Sequence, residues 1–259
     1  MLRLLEHIRD HRYLIGNFVE RDLKVKYRGT VFGYFWSLLE PAALVGIYYF
    51  VFVVIAQRGE GNYPLIVMLG LLPWIYFSSV IQGATNALRV NAQLVRKVQI
   101  PRDVYIMAAS ASSLVVLLLN MLAVLPLLFI YRVTPGPTLI LWIPAMLMLT
   151  MMAVGIGLVT SCANVIFKDV SYLLNVIIRI GLYFSATVYP VSMVPANMRY
   201  WFLFNPVALC LTMGRSAFLG EPMPFHTVHW VSALLVALIS CSLGAAIFFR
   251  WEKKAVKFL

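Results

Sequence analysis

Between Val31 and Phe249 the chain repeatedly runs about twenty or more residues without a charged side chain, and its few positive charges fall in the gaps. A helix needs about 20 mainly apolar residues to cross the hydrocarbon core of a bilayer, so these runs predict membrane-spanning helices. Gly61–Leu88, Val104–Tyr131, Val133–Phe167 and Pro222–Phe249 carry no charge. Val31–Ala56 carries one acid, Glu40, and Val170–Pro190 one base, Arg179. Six spans are expected. A chain that is 62% hydrophobic and 12% charged is not an ordinary soluble domain.

A net charge of +11 could suggest a nucleic-acid partner, but the positions of the charges argue otherwise. Arg3, Arg9, Arg12, Arg21, Lys24, Lys26 and Arg28 precede the first span. Arg89, Arg96, Lys97 and Arg102 follow the second, Lys168 follows the fourth, and Arg250, Lys253, Lys254 and Lys257 close the chain. Only Arg58, Arg132, Arg199 and Arg215 fall on the other side. The bias places both termini in the cytoplasm and requires an even number of crossings, which six satisfies.

The expected architecture is one all-α transmembrane domain over 1–259. Residues 1–30 form a cytoplasmic interface helix, because Leu4, Ile8, Ile15, Phe18 and Val19 fall near one face and charges on others. Residues 31–190 hold spans one to five, with Pro41 and Pro73 expected to bend the first and second. Asn91–Asp103 and Asn164–Asp169 are cytoplasmic connectors, and Gln57–Tyr63 and Thr134–Pro137 outer turns. Residues 191–226 are too apolar for a loop, yet Pro195, Pro206, Pro222 and Pro224 interrupt them. Two short re-entrant outer helices fit, covered by protein or lining a wet cavity. Residues 227–250 form span six and 251–259 a cytoplasmic tail. The three cysteines suggest neither a disulfide framework nor a zinc site, and the charged N-terminus does not read as a cleavable signal peptide.

No G-x-x-x-x-G-K-[ST] loop occurs, so ATP is not held here by that device. His7 with His11, and His226 with His229, are near one helical turn apart, but no third metal ligand accompanies either pair. Glu40 and Arg179 each lie nine residues into their spans, roughly 13 Å deep at 1.5 Å per residue. Intramembrane charges face a bundle interior or an aqueous path. The two are therefore expected either to pair structurally or, for Arg179, to meet an anionic substrate. Dense aromatics such as Tyr34, Trp36, Tyr48, Tyr183, Tyr200 and Trp201 suit interfacial belts and can also stack on sugar rings. The small-residue ladder Ala153, Gly157, Ser161 lets another helix approach closely, in the same subunit or in a second one.

Several segments resemble one family in order and spacing. Lys26-Tyr27-Arg28, then Gly33-Tyr34, Trp36 and Leu38-Leu39-Glu40-Pro41, resemble the entry to span one of type-2 ABC exporter permeases that move polysaccharides. Asn164-Val165-Ile166-Phe167-Lys168-Asp169 is similar to that family's turn after span four. Tyr189-Pro190, Pro195, Asn205-Pro206 and the Arg215 region resemble its outer re-entrant segment, and Trp251-Glu252-Lys253-Lys254 its tail. The resemblance covers nearly the whole chain and includes capsule, O-antigen and teichoic-acid exporters.

The resemblance implies a non-enzymatic transport subunit in the bacterial cytoplasmic (inner) membrane. It would form a homodimer with two copies of an ABC ATPase, which would bind ATP and Mg. Its other partners would be a glycan or glycolipid substrate, membrane lipid and periplasmic export proteins, with no nucleic acid. By the same resemblance Arg96, Lys97, Arg102, Asp103, Lys168 and Asp169 would contact the ATPase. Glu40, Arg179, Tyr34, Trp36, Tyr48 and Tyr183 would line the translocation path, and Tyr200, Trp201, Asn205 and Arg215 would form the outer gate. Competing readings are a permease of the same plan for teichoic acid, a drug or a lipid, an ion-coupled secondary transporter, and a membrane enzyme acting on lipid-linked sugars. The secondary transporter lacks evident inverted repeats and has few charges in its spans. The enzyme lacks a carboxylate pair or metal motif.

Overall fold

The computed structural model describes residues 2–57, 61–223 and 226–259. Arg58, Pro224 and Phe225 lie outside them, so the placements expected for these three are not described. The described chain is helical: α1 (Leu2–Asp10), α2 (Arg12–Tyr27), α3 (Phe35–Tyr49), α4 (Tyr63–Val90), α5 (Ala92–Lys97), α6 (Asp103–Met121), α7 (Val124–Ile130), α8 (Trp142–Ile166), α9 (Asp169–Phe184), α10 (Ala196–Phe202), α11 (Pro206–Leu219) and α12 (Thr227–Ala255). Five helical segments are long and apolar enough to cross a membrane: Phe35–Ile55, Tyr63–Val90, Asp103–Ile130, Pro137–Ile166 and Thr227–Phe258. The pair α10 and α11, bent by 105°, would bring the number to six.

Packing puts α4 at the centre. In its most apolar stretch 78% is buried, against 11% for α3, which lies on the periphery. The α4–α8 seam is joined by polar side chains. Tyr76 and Thr150 hydroxyls meet at 2.7 Å, those of Thr85 and Thr160 at 2.6 Å, and Asn164 Nδ2 donates to the Thr85 carbonyl at 3.1 Å. Interhelical bonds of this kind are worth on average about 0.6 kcal/mol each in membrane bundles. The small-residue ladder serves packing inside the subunit. Gly157 leaves room for Ala84 of α4, while Gly155 and Gly244 bring the α8 and α12 backbones together.

Three spans differ from expectation. The third breaks at Leu122–Ala123, because Pro126 cannot supply the amide that would carry α6 onward. Span one turns π-helical at Phe50–Ile55, and Pro41 and Pro73 both lie inside helices that continue beyond them. The fifth helix, α9, has 16 residues, about 24 Å, rather than running to Pro190. Residues 185–190 leave the helix, with Ala186 at φ 51°, and turn their carbonyls toward Arg215.

Contacts at the two ends of the bundle still fix its course. Asn164, just before α9, bonds α4 near its last turn, and Val188, just after α9, accepts a 2.8 Å bond from Tyr63 at the first residue of α4. The α9 segment therefore runs the length of the bundle. The segment containing α10 and α11 begins and ends at the Tyr63 end, since Val191 and Glu221 line one small cavity. Both termini lie at the opposite end: α1 touches the start of α6, and the end of α12 meets Arg102. The N-terminal helical region is two helices joined at His11 rather than one. In α2 a 2.6 Å bond from Lys24 holds the Glu20 carboxyl below its ordinary pKa, and the carboxylate holds Lys24 above its own.

Candidate functional site

At the end that carries both termini, the α5 connector arches over α1 and α12 and encloses a cleft of about 1010 Å³. The sequence makes a connector here because Pro101 and the extended Val98 end α5 before Asp103 opens α6. Arg3, Arg96, Lys97, Arg102 and Lys253 line the cleft, and its two acids, Asp103 and Glu252, are already engaged. His7 Nδ1 donates to the Asp103 carboxylate at 2.8 and 2.9 Å, and Arg102 pairs with Glu252 at 3.5 Å. The Arg3 guanidinium lies 4.7 Å over the Phe249 ring. The free surface of the cleft is thus basic.

Asp103 was expected on a contact surface, but it is fully buried and tied to α1. It sits in the first turn of α6, next to the helix's unpaired backbone amides. Arg96 and Lys97 are exposed, and Arg102 is half-buried. Lys168 and Asp169 are exposed on the α8–α9 turn but do not line this cleft.

The residues expected along a path lie on α3 and α9. Tyr34, just before α3, and Trp36 and Glu40 on α3 are exposed, as are Arg179 and Tyr183 on α9. Tyr48 of α3 and Tyr183 of α9 are within electrostatic reach of each other. Tyr34 stacks on Tyr27 with centroids 4.6 Å apart. No ion pair forms between Glu40 and Arg179 among the described residues. Both point away from the core of their own chain.

At the Tyr63 end, Arg215 is buried rather than mobile. Its Nε donates to the Ile66 carbonyl at 3.0 Å, Nη1 to Tyr189 at 3.1 Å, and Nη2 to Ala186 and Thr187 at 3.0 and 3.1 Å. A Cβ at Gly70 would collide with this guanidinium, so only glycine fits there. Asn205 caps α11 and donates to the Phe184 carbonyl at 2.9 Å. Tyr200 and Phe204 flank His229, each with centroids 4.8 Å from it, and Trp201 is exposed. Because the His226 amide donates to His229 Nδ1, the ring proton sits on Nε2 and is given to the Tyr200 carbonyl at 3.1 Å. Neither ring nitrogen of His229 is left to ligate a metal.

The sequence model of ABC-2 type transporters matches residues 13–219. The chain belongs to that family. It is 27% identical over 242 residues to the O-antigen export system permease protein RfbA of Klebsiella pneumoniae, covering 92% of each chain. It is 26% identical over 230 residues to the protein of the same name from Myxococcus xanthus, covering 86% of this chain and 87% of that one. It is 26% identical over 239 residues to the polysialic acid transport protein KpsM of Escherichia coli, covering 88% and 89%.

For this ABC-2 transporter, sequence reasoning brought together Arg96, Lys97, Arg102 and Asp103, all of which line the connector cleft. It missed His7 as the partner of Asp103 and Glu252 as the partner of Arg102. A buried acid next to a connector proline was the available signal, since such an acid needs a partner, but 96 residues separate it from His7. It also missed that Arg215 binds only carbonyls, which leave no mark in side-chain identity.

Proposed function

We propose that this ABC-2 transporter is the membrane permease subunit of an ATP-driven exporter. It moves lipid-linked or lipid-anchored polysaccharide, of capsule or O-antigen type, across the bacterial cytoplasmic membrane. The observation that carries this reading is the end-to-end likeness to permeases named for O-antigen export and polysialic acid transport. Both termini face the cytoplasm, in keeping with the basic bias of that end and with its position in the fold. α1 and α2 lie at the interface, α9 makes the fifth crossing, and α10 with α11 re-enters from the outside.

Two copies of the chain pair through the exposed faces of α3 and α9. Tyr34, Trp36, Tyr48 and Tyr183 then border the path and offer ring faces to sugars. Arg179 offers a positive charge to an anionic polymer or its phosphate, with Glu40 on the same wall. The basic connector cleft, with Arg96, Lys97 and Arg102, and the Lys168–Asp169 turn receive two ATPase subunits, which bind ATP and Mg. Asp103 supports that surface from within. Tyr200, Trp201 and Asn205 border the outer mouth, and Arg215 holds their base in place. Periplasmic export proteins take the emerging chain.

The test is purification of the tagged chain from its native membrane, followed by reconstitution with the proteins that accompany it. A co-purifying ATPase with a phosphate-binding loop, and ATP-dependent transfer of a glycan into proteoliposomes, are expected. Purification without any ATPase, or uphill transfer by the chain alone, would overturn the reading.

A further inference from the structure

A second cleft, of about 410 Å³, lies between α2, α4 and α6, at the same end of the bundle as the connector. Small residues hollow it out: Gly83 and Ala87 on α4, and Ala108 and Ala109 on α6. α2 bridges the gap and supplies apolar walls, Phe18 and Val25. The cleft reaches from Tyr105 to Ala109, about 9 Å below the start of α6. That is the depth of a lipid headgroup and its first methylenes.

Tyr105 lines this cleft, its ring 5.2 Å from that of Phe18. The residue is 2% exposed, and its hydroxyl is shielded from water without a hydrogen-bond partner. Buried polar groups in native structures are almost always paired, so an orphan of this kind points to a missing ligand. Arg21 and Lys26 of α2 also line the cleft. Arg21 is close enough to interact electrostatically with the Tyr105 phenol. Asp22 takes the Nε and Nη2 protons of Arg21 at 3.0 and 2.7 Å, and among the described residues Nη1 has no hydrogen-bond partner. Lys26 has no ion-pair partner among the described residues. The lip therefore carries two cations against one acid.

A free inorganic anion would satisfy the cations and leave the apolar walls uncovered. A phospholipid meets both, and basic pockets between helices on the cytoplasmic side suit anionic headgroups. We propose that the cleft between α2, α4 and α6 holds the phosphate headgroup of an anionic phospholipid, with Arg21 and Lys26 facing the phosphate and the Tyr105 hydroxyl donating to a headgroup oxygen. The lipid fastens α2 to the bundle. The leaflet follows from the topology proposed above, whereas the binding chemistry does not depend on what the transporter carries.

Native mass spectrometry of the full chain in detergent tests this, with phosphatidylglycerol titrated against phosphatidylcholine of identical acyl chains. One phosphatidylglycerol per chain is expected to bind at least about tenfold more tightly than phosphatidylcholine. Arg21→Ala/Lys26→Ala should remove that preference. Tyr105→Phe should weaken phosphatidylglycerol about fivefold. It removes an orphan hydroxyl, so the lipid-free chain should melt no lower than wild type, which separates binding from folding. Equal binding of the two lipids, or wild-type affinity in Tyr105→Phe and in the double variant, would overturn the proposal. Displacement of the lipid by millimolar inorganic phosphate would assign a free-anion site instead and overturn it equally.

Discussion

His7 and Asp103 illustrate what a single buried charge requires. The Asp103 carboxylate is shielded from water, so its stability depends on the His7 proton donor and on the first turn of α6. His7→Ala is expected to destabilise the chain by about 1–3 kcal/mol, since it leaves a buried acceptor unsatisfied. Asp103→Asn added to it should recover part of that loss, because a neutral amide is less unfavourable to leave unpaired. Thermal unfolding of both variants in detergent measures this; equal melting of His7→Ala and wild type would refute the clasp. Such pairs were not legible in the sequence. Glu40 and Arg179 stood out because they interrupt uncharged runs. Asp103 and Arg215 entered only through the family resemblance and their partners stayed hidden, because one borders a connector already rich in charge and the other bonds only to backbone carbonyls.

Among the helices, the long apolar runs determined position and identity well, because a bilayer forces each crossing to satisfy its own backbone. Their ends were less legible. Pro126 splits span three although it lies in an uninterrupted apolar run, and α9 ends early because tertiary bonds to Arg215 reward a non-helical backbone more than hydropathy rewards a helix. The ladder in α8 was legible as a small-residue stripe, but not its second face. Gly155 and Gly157 are two residues, about 200°, apart, so one meets α12 and the other α4. A Cβ at Gly155 would run into the backbone at Ser240, whereas one at Gly46 of α3 would meet nothing within 4 Å. Gly155→Ala is therefore expected to destabilise by about 1–3 kcal/mol through overpacking, and Gly46→Ala to leave stability unchanged or raised. Matching melting temperatures for the two variants in detergent would refute the close approach of α8 and α12.

For the whole molecule, the faces left uncovered are as informative as the core. α9 buries only Ile178 and exposes Tyr172, Leu173, Val176, Ile177, Ile180 and Tyr183, and α3 is similarly open. On those two faces stand the two charges that interrupt spans one and five, neither of them in an ion pair among the described residues. A charge facing lipid at mid-depth is unfavourable by about 2.5–3.5 kcal/mol even on the mildest scales. On the proposed function, a second copy covering α3 and α9 would remove Glu40 and Arg179 from lipid and give them a shared wet interior, in which Arg179 would meet an anionic cargo. Replacing Arg179 by Ala should then lower export by about tenfold or more, the equivalent of roughly 1.4 kcal/mol of lost contact. The double variant Glu40→Ala/Arg179→Ala should stay equally low. Export is read as surface glycan per cell, with assembly of the permease and its ATPase checked by gel filtration. Recovery of export in the double variant would mean that the two charges only balance each other, and that the cargo is guided by the aromatic wall alone.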